Sequence, residues 1–378
     1  MKLIKSIKGL LKLKKHLPAD IVFYSESKAY YTNFKDIINE LINKYNQKVI
    51  YVTSDCNDKV FSIKNNNFIP VYIESNTILI VFFNYLKSKV FITTMPDIDT
   101  FHFKRSPYVH NMVYVNHSIV SMNMIYLPKA FESYDTIFAV GSYHEKEIRE
   151  MEQEYKTKQK HIVKVGYPAL DDFISGYNSY IENNKNNSNH TTTITIAPSW
   201  QENNIIDLCI YELVDILLPL GYNIKLRPHP MTLKYEYNKI KNIIEHYKHQ
   251  PLFSIDNALG NFASYMETDL MITDWSGTVF KYSFTTLKPV VFINTPIKVR
   301  NENYINYKNQ PVEITWRNQI GKSCDLDKLN TIKDMVNDLL NDNIFKDKII
   351  AFRNENIYNI NKSGAVCAEY IMDYLKNN

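Results

Sequence analysis

The chain has 378 residues, beyond the size at which a single hydrophobic core usually keeps growing, so two domains are expected. Hydrophobic residues make up 45% and charged residues 22%, an ordinary soluble balance. The net charge of +4 is too small for a dedicated nucleic-acid binder, and no nucleic-acid partner is expected.

Four scattered cysteines (Cys56, Cys209, Cys324, Cys367) form no CxxC pair, which argues against a disulfide framework or a zinc site and fits a reducing, cytoplasmic setting. The longest apolar run, "TILIVFFNYL" at 77–86, is short of the roughly 20 residues that span a bilayer.

The amino terminus, "MKLIKSIKGLLKLKKHLP", sets Leu3, Ile4, Ile7, Leu10 and Leu11 at three- and four-residue spacing, with lysines largely opposite. Lysines run through the apolar part, so it does not read as a signal peptide. Residues 1–18 are expected to form a basic amphipathic helix. It would either lie on an anionic membrane surface or present a solvated lysine face while packing on its own domain.

From residue 19 the pattern alternates. Strand-like runs "ADIVFYSES", "KVIYVTSD", "FIPVYIES", "SKVFITTMP", "MVYVNHS" and "YDTIFAVGS" are separated by helical or mixed segments such as "FKDIINELINKYN". Residues 19–176 form the first expected domain. The Asn-rich stretch 177–193, "YNSYIENNKNNSNHTTT", reads as a linker. Alternation resumes with "TITIAPSW", "IIDLCIYELVDILLPLG", "YNIKLRPHP", "YNKIKNIIEHYK", "LMIT" and "PVVFINTP", giving a second domain over 194–345. The tail 346–378 is helical and could pack back on the first domain. The fold class is α/β, two Rossmann-like domains facing a central cleft. In such sheets ligands bind beyond the carboxyl ends of the strands, and that is where the polar clusters fall.

In "LMITDWSGTVF" (270–280), a buried strand meets Asp274, Trp275, Ser276, Gly277 and Thr278 at the start of a helix. Backbone N–H groups, the helix dipole and two hydroxyls there suit an anion, and Gly277 would admit a phosphate close to the backbone. The plainer alternative is a helix cap by Asp274 or Ser276. In "LRPHP" (226–230), Arg227 offers a planar fork of donors and His229 a hydrogen bond or a proton, with prolines fixing the turn. A rigid surface turn is the alternative. His117 and Ser118 follow the strand in "VNHSIVS", where a histidine could serve as a general base or simply be structural. "APSWQEN" (197–203), with Ser199 and Trp200, and "VGYPALDD" (165–172), with Tyr167, are strand-to-turn transitions of weaker signal. There is no Walker A loop, GxSxG elbow or HExxH pair, and Asp97 and Asp99 read as a loop. No metal ligand cluster is evident, and Mg²⁺ is left open as an aid.

Taken in order, His117 with Ser118, "VGYPALDDF", "APSW", "RPHP" and "ITDWSGTVFKY" resemble the CDP-glycerol glycerophosphotransferase family over roughly residues 108–300. The resemblance implies a GT-B fold with the nucleotide held mainly by the second domain. It implies His117 as base for the acceptor hydroxyl, His229 beside the donor pyrophosphate, and Ser276 on donor phosphate. It further implies a CDP-activated polyol donor, a glycan or lipid-linked acceptor, release of CMP, and a place on the inner face of the cell membrane. Trp275 stands where the family commonly has Tyr, Gly277 where it has a second Ser, Lys281 where it has Asp, Gln201 where Arg is frequent, and Ser118 where Gly is usual. These departures keep two rival readings open: a GT-B glycosyltransferase using a nucleotide sugar, and a non-catalytic binding subunit of a polymer synthase.

Overall fold

Two runs of parallel strands carry the fold, seen in a computed structural model that describes residues 2–185, 191–256 and 262–378. The first sheet comprises β1 (Ala19–Ser25), β2 (Val49–Thr53), β3 (Phe68–Tyr72), β4 (Ser88–Thr93), β5 (Val109–Val115), β6 (Thr136–Ala139) and β7 (His161–Lys164), in the order β3-β2-β1-β4-β5-β6-β7. The second comprises β8 (Thr193–Ala197), β9 (Asn223–Leu226), β10 (Phe253–Ile255), β11 (Leu270–Thr273), β12 (Val290–Asn294) and β13 (Gly321–Asp325), in the order β10-β9-β8-β11-β12-β13. Both sheets reverse direction of growth next to their first strand, between β1 and β4 and between β8 and β11. Such switch points open a crevice at the carboxyl ends.

The central strands are apolar without alternation because both faces are covered. Ile21 to Tyr24 are all buried, and so are Leu270 to Ile272, which register on Ile194, Thr195 and Ile196 of β8. One face of the first sheet packs Phe82, Phe83 and Leu79 of the helix Asn76–Tyr85; the other packs Ile37, Ile38 and Leu41 of the helix Lys35–Asn43. The run "TILIVFFNYL" is thus a core helix, and among the described residues no helix is long and apolar enough to cross a membrane.

Two expectations are corrected. The helix Pro168–Asn183 continues through residues 177–183, because Ile174 and Tyr177 keep its buried face packed in the core of the second domain. The linker is therefore shorter than 177–193, and its residues 186–190 lie outside the described residues. The tail does not act as one unit either. The helix Phe345–Asn356 buries Phe345 and Ile349 in the second domain's core. Only the helix Ser363–Asn377 crosses to the first domain, burying Cys367, Ala368 and Ile371. The crossing is tight: Tyr358 N donates to Val140 O at 2.9 Å.

Gly364 lets that last helix approach the helix Lys35–Asn43, since an added Cβ would sit 2.6 Å from Asp36 Cβ and 3.0 Å from its carbonyl carbon. Overpacking of this kind costs about 1–3 kcal/mol. Gly364→Ala should lower stability by about that amount in denaturant titration; an unchanged midpoint would mean the tail helix contributes little to the first domain.

Candidate active site

The polar clusters at the strand ends converge on one cleft of about 370 Å³ between the sheets. His117 reaches it from beyond β5, Arg227 and His229 from beyond β9, and Ser276 and Thr278 from beyond β11. Tyr167 joins them at the start of the helix Pro168–Asn183, and its hydroxyl donates to the His117 carbonyl at 2.8 Å.

His117 meets the ring of Tyr30 edge-on at 5.4 Å. Burial pulls its pKa down to about 4, with a hydrogen bond to the Thr94 backbone opposing the shift and the Lys281 charge adding to it. His229 caps the short helix Pro230–Tyr235, its Nδ1 accepting from Met231 N at 3.1 Å. That bond assigns the ring proton to Nε2. Burial, helped by Lys298, lowers its pKa to about 4 as well. Both rings are therefore neutral at pH 7, one able to accept a proton and the other to donate a hydrogen bond.

Arg227 is not a free cation. It pairs with Asp256 at 2.5 Å, donates to Ser264, and lies 4.4 Å over the ring of Tyr265. This holds the guanidinium plane against the cleft wall. The helix Val279–Thr286 starts at Thr278 with no side-chain cap, so neither Asp274 nor Ser276 plays that part. The Val279 N–H is used within the turn, donating to Ser276 O at 3.2 Å, and Ser276 and Thr278 are the residues of this turn that line the cleft.

Five expected cleft residues, Asp274, Ser199, Gly277, Ser118 and Trp200, do structural work or lie elsewhere. Asp274 is buried, and its carboxylate accepts from Ser199 N (2.7 Å), Trp275 N (2.6 Å) and Ile205 N (3.2 Å). It ties the turn after β8 to the turn after β11. Ser199 is buried behind that turn and lines no part of the cleft. Gly277 faces the other domain: a Cβ there would stand 3.1 Å from Val120 Cγ1, and its carbonyl accepts from Ser118 Oγ at 3.3 Å. Gly277 and Ser118 thus form part of the seam between domains. Trp200 stands outside the cleft lining, its ring parallel to that of His229 at 6.2 Å. Trp275 is a strut, its indole N–H donating to Thr295 O at 2.9 Å and its ring lying 3.8 Å from the guanidinium of Arg317.

Sequence reasoning also missed part of the lining. Ala29, Tyr30 and Asn33 come from the 3₁₀ turn Lys28–Asn33 after β1, and Phe173, Phe262 and Tyr265 form an aromatic wall. The available signal was positional: "ESKAYYTN" follows β1, an interior strand beside the switch point of the first sheet. None of the described residues that line the cleft is a carboxylate.

The family model for CDP-glycerol:poly(glycerophosphate) glycerophosphotransferases matches residues 9–354. The chain belongs to that family. This glycerophosphotransferase is similar in fold to the wall teichoic acid polymerase TagF, with 16% identity, 100% of this chain and 98% of that chain covered, and a TM-score of 0.64. It is also similar to a UDP-N-acetylglucosamine 2-epimerase structure from Listeria monocytogenes (10%, 95% and 97% covered, TM-score 0.63). A third is the UDP-GlcNAc 2-epimerase of Methanocaldococcus jannaschii with UDP-GlcNAc and UDP (16%, 95% and 99% covered, TM-score 0.59). The shared architecture is GT-B. No relative among curated proteins matches the chain. As a member of its family the protein is a transferase of glycerol phosphate from a CDP-activated donor.

The structural reading of Asp274 is testable. Asp274→Ala leaves buried amides without an acceptor, at a cost on the order of 1–3 kcal/mol for each one unpaired. The thermal midpoint should fall markedly. An unchanged midpoint with weakened donor binding would return Asp274 to the ligand site.

Proposed function

We propose that the cleft holds a CDP-activated polyol phosphate, CDP-glycerol foremost, on its second-domain side and a hydroxyl acceptor on its first-domain side. The observation that carries this reading is the neutral His117 standing across an acid-free cleft from Ser276, Thr278, Arg227 and His229. Pyrophosphate oxygens would take hydrogen bonds from the hydroxyls of Ser276 and Thr278, from Arg227, and from His229 Nε2–H. His117 would accept the proton of the attacking hydroxyl, as a base already unprotonated at neutral pH can. Fixed donors then meet the charge that develops on phosphorus without reorganising. CMP leaves with the bridging oxygen.

For the acceptor we propose a glycan or lipid-linked chain of a cell-surface polymer, with wall teichoic acid as the model offered by the similar polymerase. The amino-terminal helix Lys2–Lys14 supports a membrane-surface placement. It packs through Ser6, Gly9 and Leu13: Ser6 accepts from Glu74 N and Ser75 N, a Cβ on Gly9 would collide with Tyr72 O, and Leu13 is buried in the core of the first domain. Leu3, Ile4, Ile7 and Leu11 consequently point outward among lysines, with Ile4 62% exposed. An exposed apolar stripe flanked by lysines is the chemistry of an interfacial helix on anionic lipid.

His117→Ala should cut kcat for CMP release by about 10²–10⁴ while leaving CDP-glycerol affinity within a few-fold. Equal losses in both would remove its role as base. In the wild type, the acid limb of kcat/KM should fall near the free-enzyme pKa of about 4. Activity is present above that pKa and lost as pH falls through it; a limb at the ordinary histidine value would contradict the buried, neutral base.

The double variant Ile4→Glu, Leu11→Glu touches exposed positions and should fold normally. It should lose most binding to anionic vesicles in low salt, read by co-sedimentation. Undiminished binding would confine the helix to a structural role.

A further inference from the structure

Among the described residues that line the cleft, Lys281 is the cation without a counter-charge. It lies on the first turn of the helix Val279–Thr286, half-buried, with its ammonium 4.8 Å from the ring of Phe173 and 5.8 Å from that of Phe262. Among the described residues it makes no ion pair. The acids on the neighbouring helix are already used: Asp171 accepts from Asn361 N (2.7 Å) and Ser363 N (2.8 Å), and Asp172 pairs with Lys35. Asp256 is engaged by Arg227. The titratable groups that share the cleft with Lys281 are Arg227, His117, His229, Tyr167, Tyr265 and Tyr30, none of them a carboxylate.

Its position is informative. Lys281 feels the charge of Arg227 on the donor side and is itself felt by His117 on the acceptor side. It lines the same cleft as Ser276, Thr278, Arg227 and His229 on one side and His117 on the other, within reach of a phosphoryl group passing between them. Phe173 and Phe262 stack on each other at 4.4 Å, and the ammonium beside that pair keeps part of its stabilisation from the rings while the aromatic wall strips away water. An anion arriving there replaces the lost hydration with a charge-assisted hydrogen bond.

We propose that Lys281 contacts the non-bridging oxygens of the glycerol-bearing phosphate, the group that is transferred, and selects for it over the nucleotide phosphate that leaves. This rests on the functional reading above. In the step it assists, the acceptor oxygen forms a bond to the glycerol-bearing phosphorus and the bond from that phosphorus to the bridging oxygen breaks. The acceptor proton passes to His117, and CMP departs with the bridging electron pair. Lys281 keeps its proton throughout and offsets the charge on the equatorial oxygens. Burial, reinforced by Arg227, brings the pKa of the ammonium down to about 8, so the charge is present at neutral pH and can be lost within an accessible range.

The test compares Lys281→Met, which keeps an apolar stem beside the rings, with Lys281→Arg, which keeps a charge. Calorimetric titration with CDP-glycerol and with CMP is paired with CMP-release kinetics. The inference expects Lys281→Met to lose at least tenfold in CDP-glycerol affinity and tenfold or more in kcat, with CMP affinity unchanged within about twofold. Lys281→Arg should recover part of both and move the alkaline limb of the wild-type rate profile from about pH 8 to higher pH. Equal weakening of CDP-glycerol and CMP, or of neither, would overturn it even if no acceptor has been found. The functional reading fails separately, if the wild type binds CDP-glycerol but releases no CMP with any hydroxyl acceptor.

Discussion

The buried carboxylate of Glu313 sets the geometry on which everything else depends. It belongs to the second domain, yet it accepts from Ser121 N at 2.9 Å and Ser121 Oγ at 2.6 Å in the first. Ser121 Oγ in turn accepts from Val312 N at 2.8 Å, and the side chains of Asn123 and Asn301 extend the same seam. Ser121 lies four residues past His117. A carboxylate this deeply buried is held up in pKa by desolvation, and its hydrogen bonds pull the other way. Removing one partner from such a contact costs more than the contact itself contributes, which gives the seam one preferred register. With Ser118 bonded to Gly277 nearby, the loop that carries His117 is positioned by the opposite domain. The proposed base, His117, and the turn proposed to hold phosphate are therefore set relative to each other by contacts within the protein.

That seam explains a departure from the family pattern. A second serine at 277 would push its Cβ toward Val120 Cγ1, 3.1 Å away, so glycine here serves the close approach of the domains. The turn proposed to hold phosphate keeps Ser276, Thr278 and a helix start without a side-chain cap, while Trp275 and Arg317 brace it from behind. Arg317 lies between the rings of Trp275 and Phe292 and donates to Asp274 O at 2.7 Å. The strand "LMIT" thus ends in an acid and an indole for support, and in a hydroxyl for the cleft.

Much of the fold was legible because parallel strands buried on both faces read as unbroken apolar runs. Two strands escaped notice. β10, "FSI", and β13, "GKSCD", each pair on one side only, so little burial was required of them and no hydrophobic pattern marks them. In the cleft, residues next to a strand end were readable, and His117, Tyr167, Arg227, His229, Ser276 and Thr278 do line it. Asp274 and Ser199 were not separable from them in sequence, since an acid that ties two turns together occupies the same place along the chain as one that faces a ligand. Phe173 and Phe262 were invisible for the opposite reason: apolar residues on apolar elements look like core until the second domain is placed beside them. In the amino-terminal helix Ser6, Gly9 and Leu13 turn inward while Leu3, Ile4, Ile7 and Leu11 face out, a division that the spacing of its apolar residues did not reveal.

The most direct test of the account is which nucleotide the protein releases. Mass spectrometry would follow CMP, UMP and UDP when the purified protein meets CDP-glycerol, CDP-ribitol or UDP-sugars, with and without a membrane-glycan extract. The account predicts CMP from a CDP-polyol, dependent on the extract. Release of UDP from a sugar donor, with CDP-polyols left intact, would contradict it.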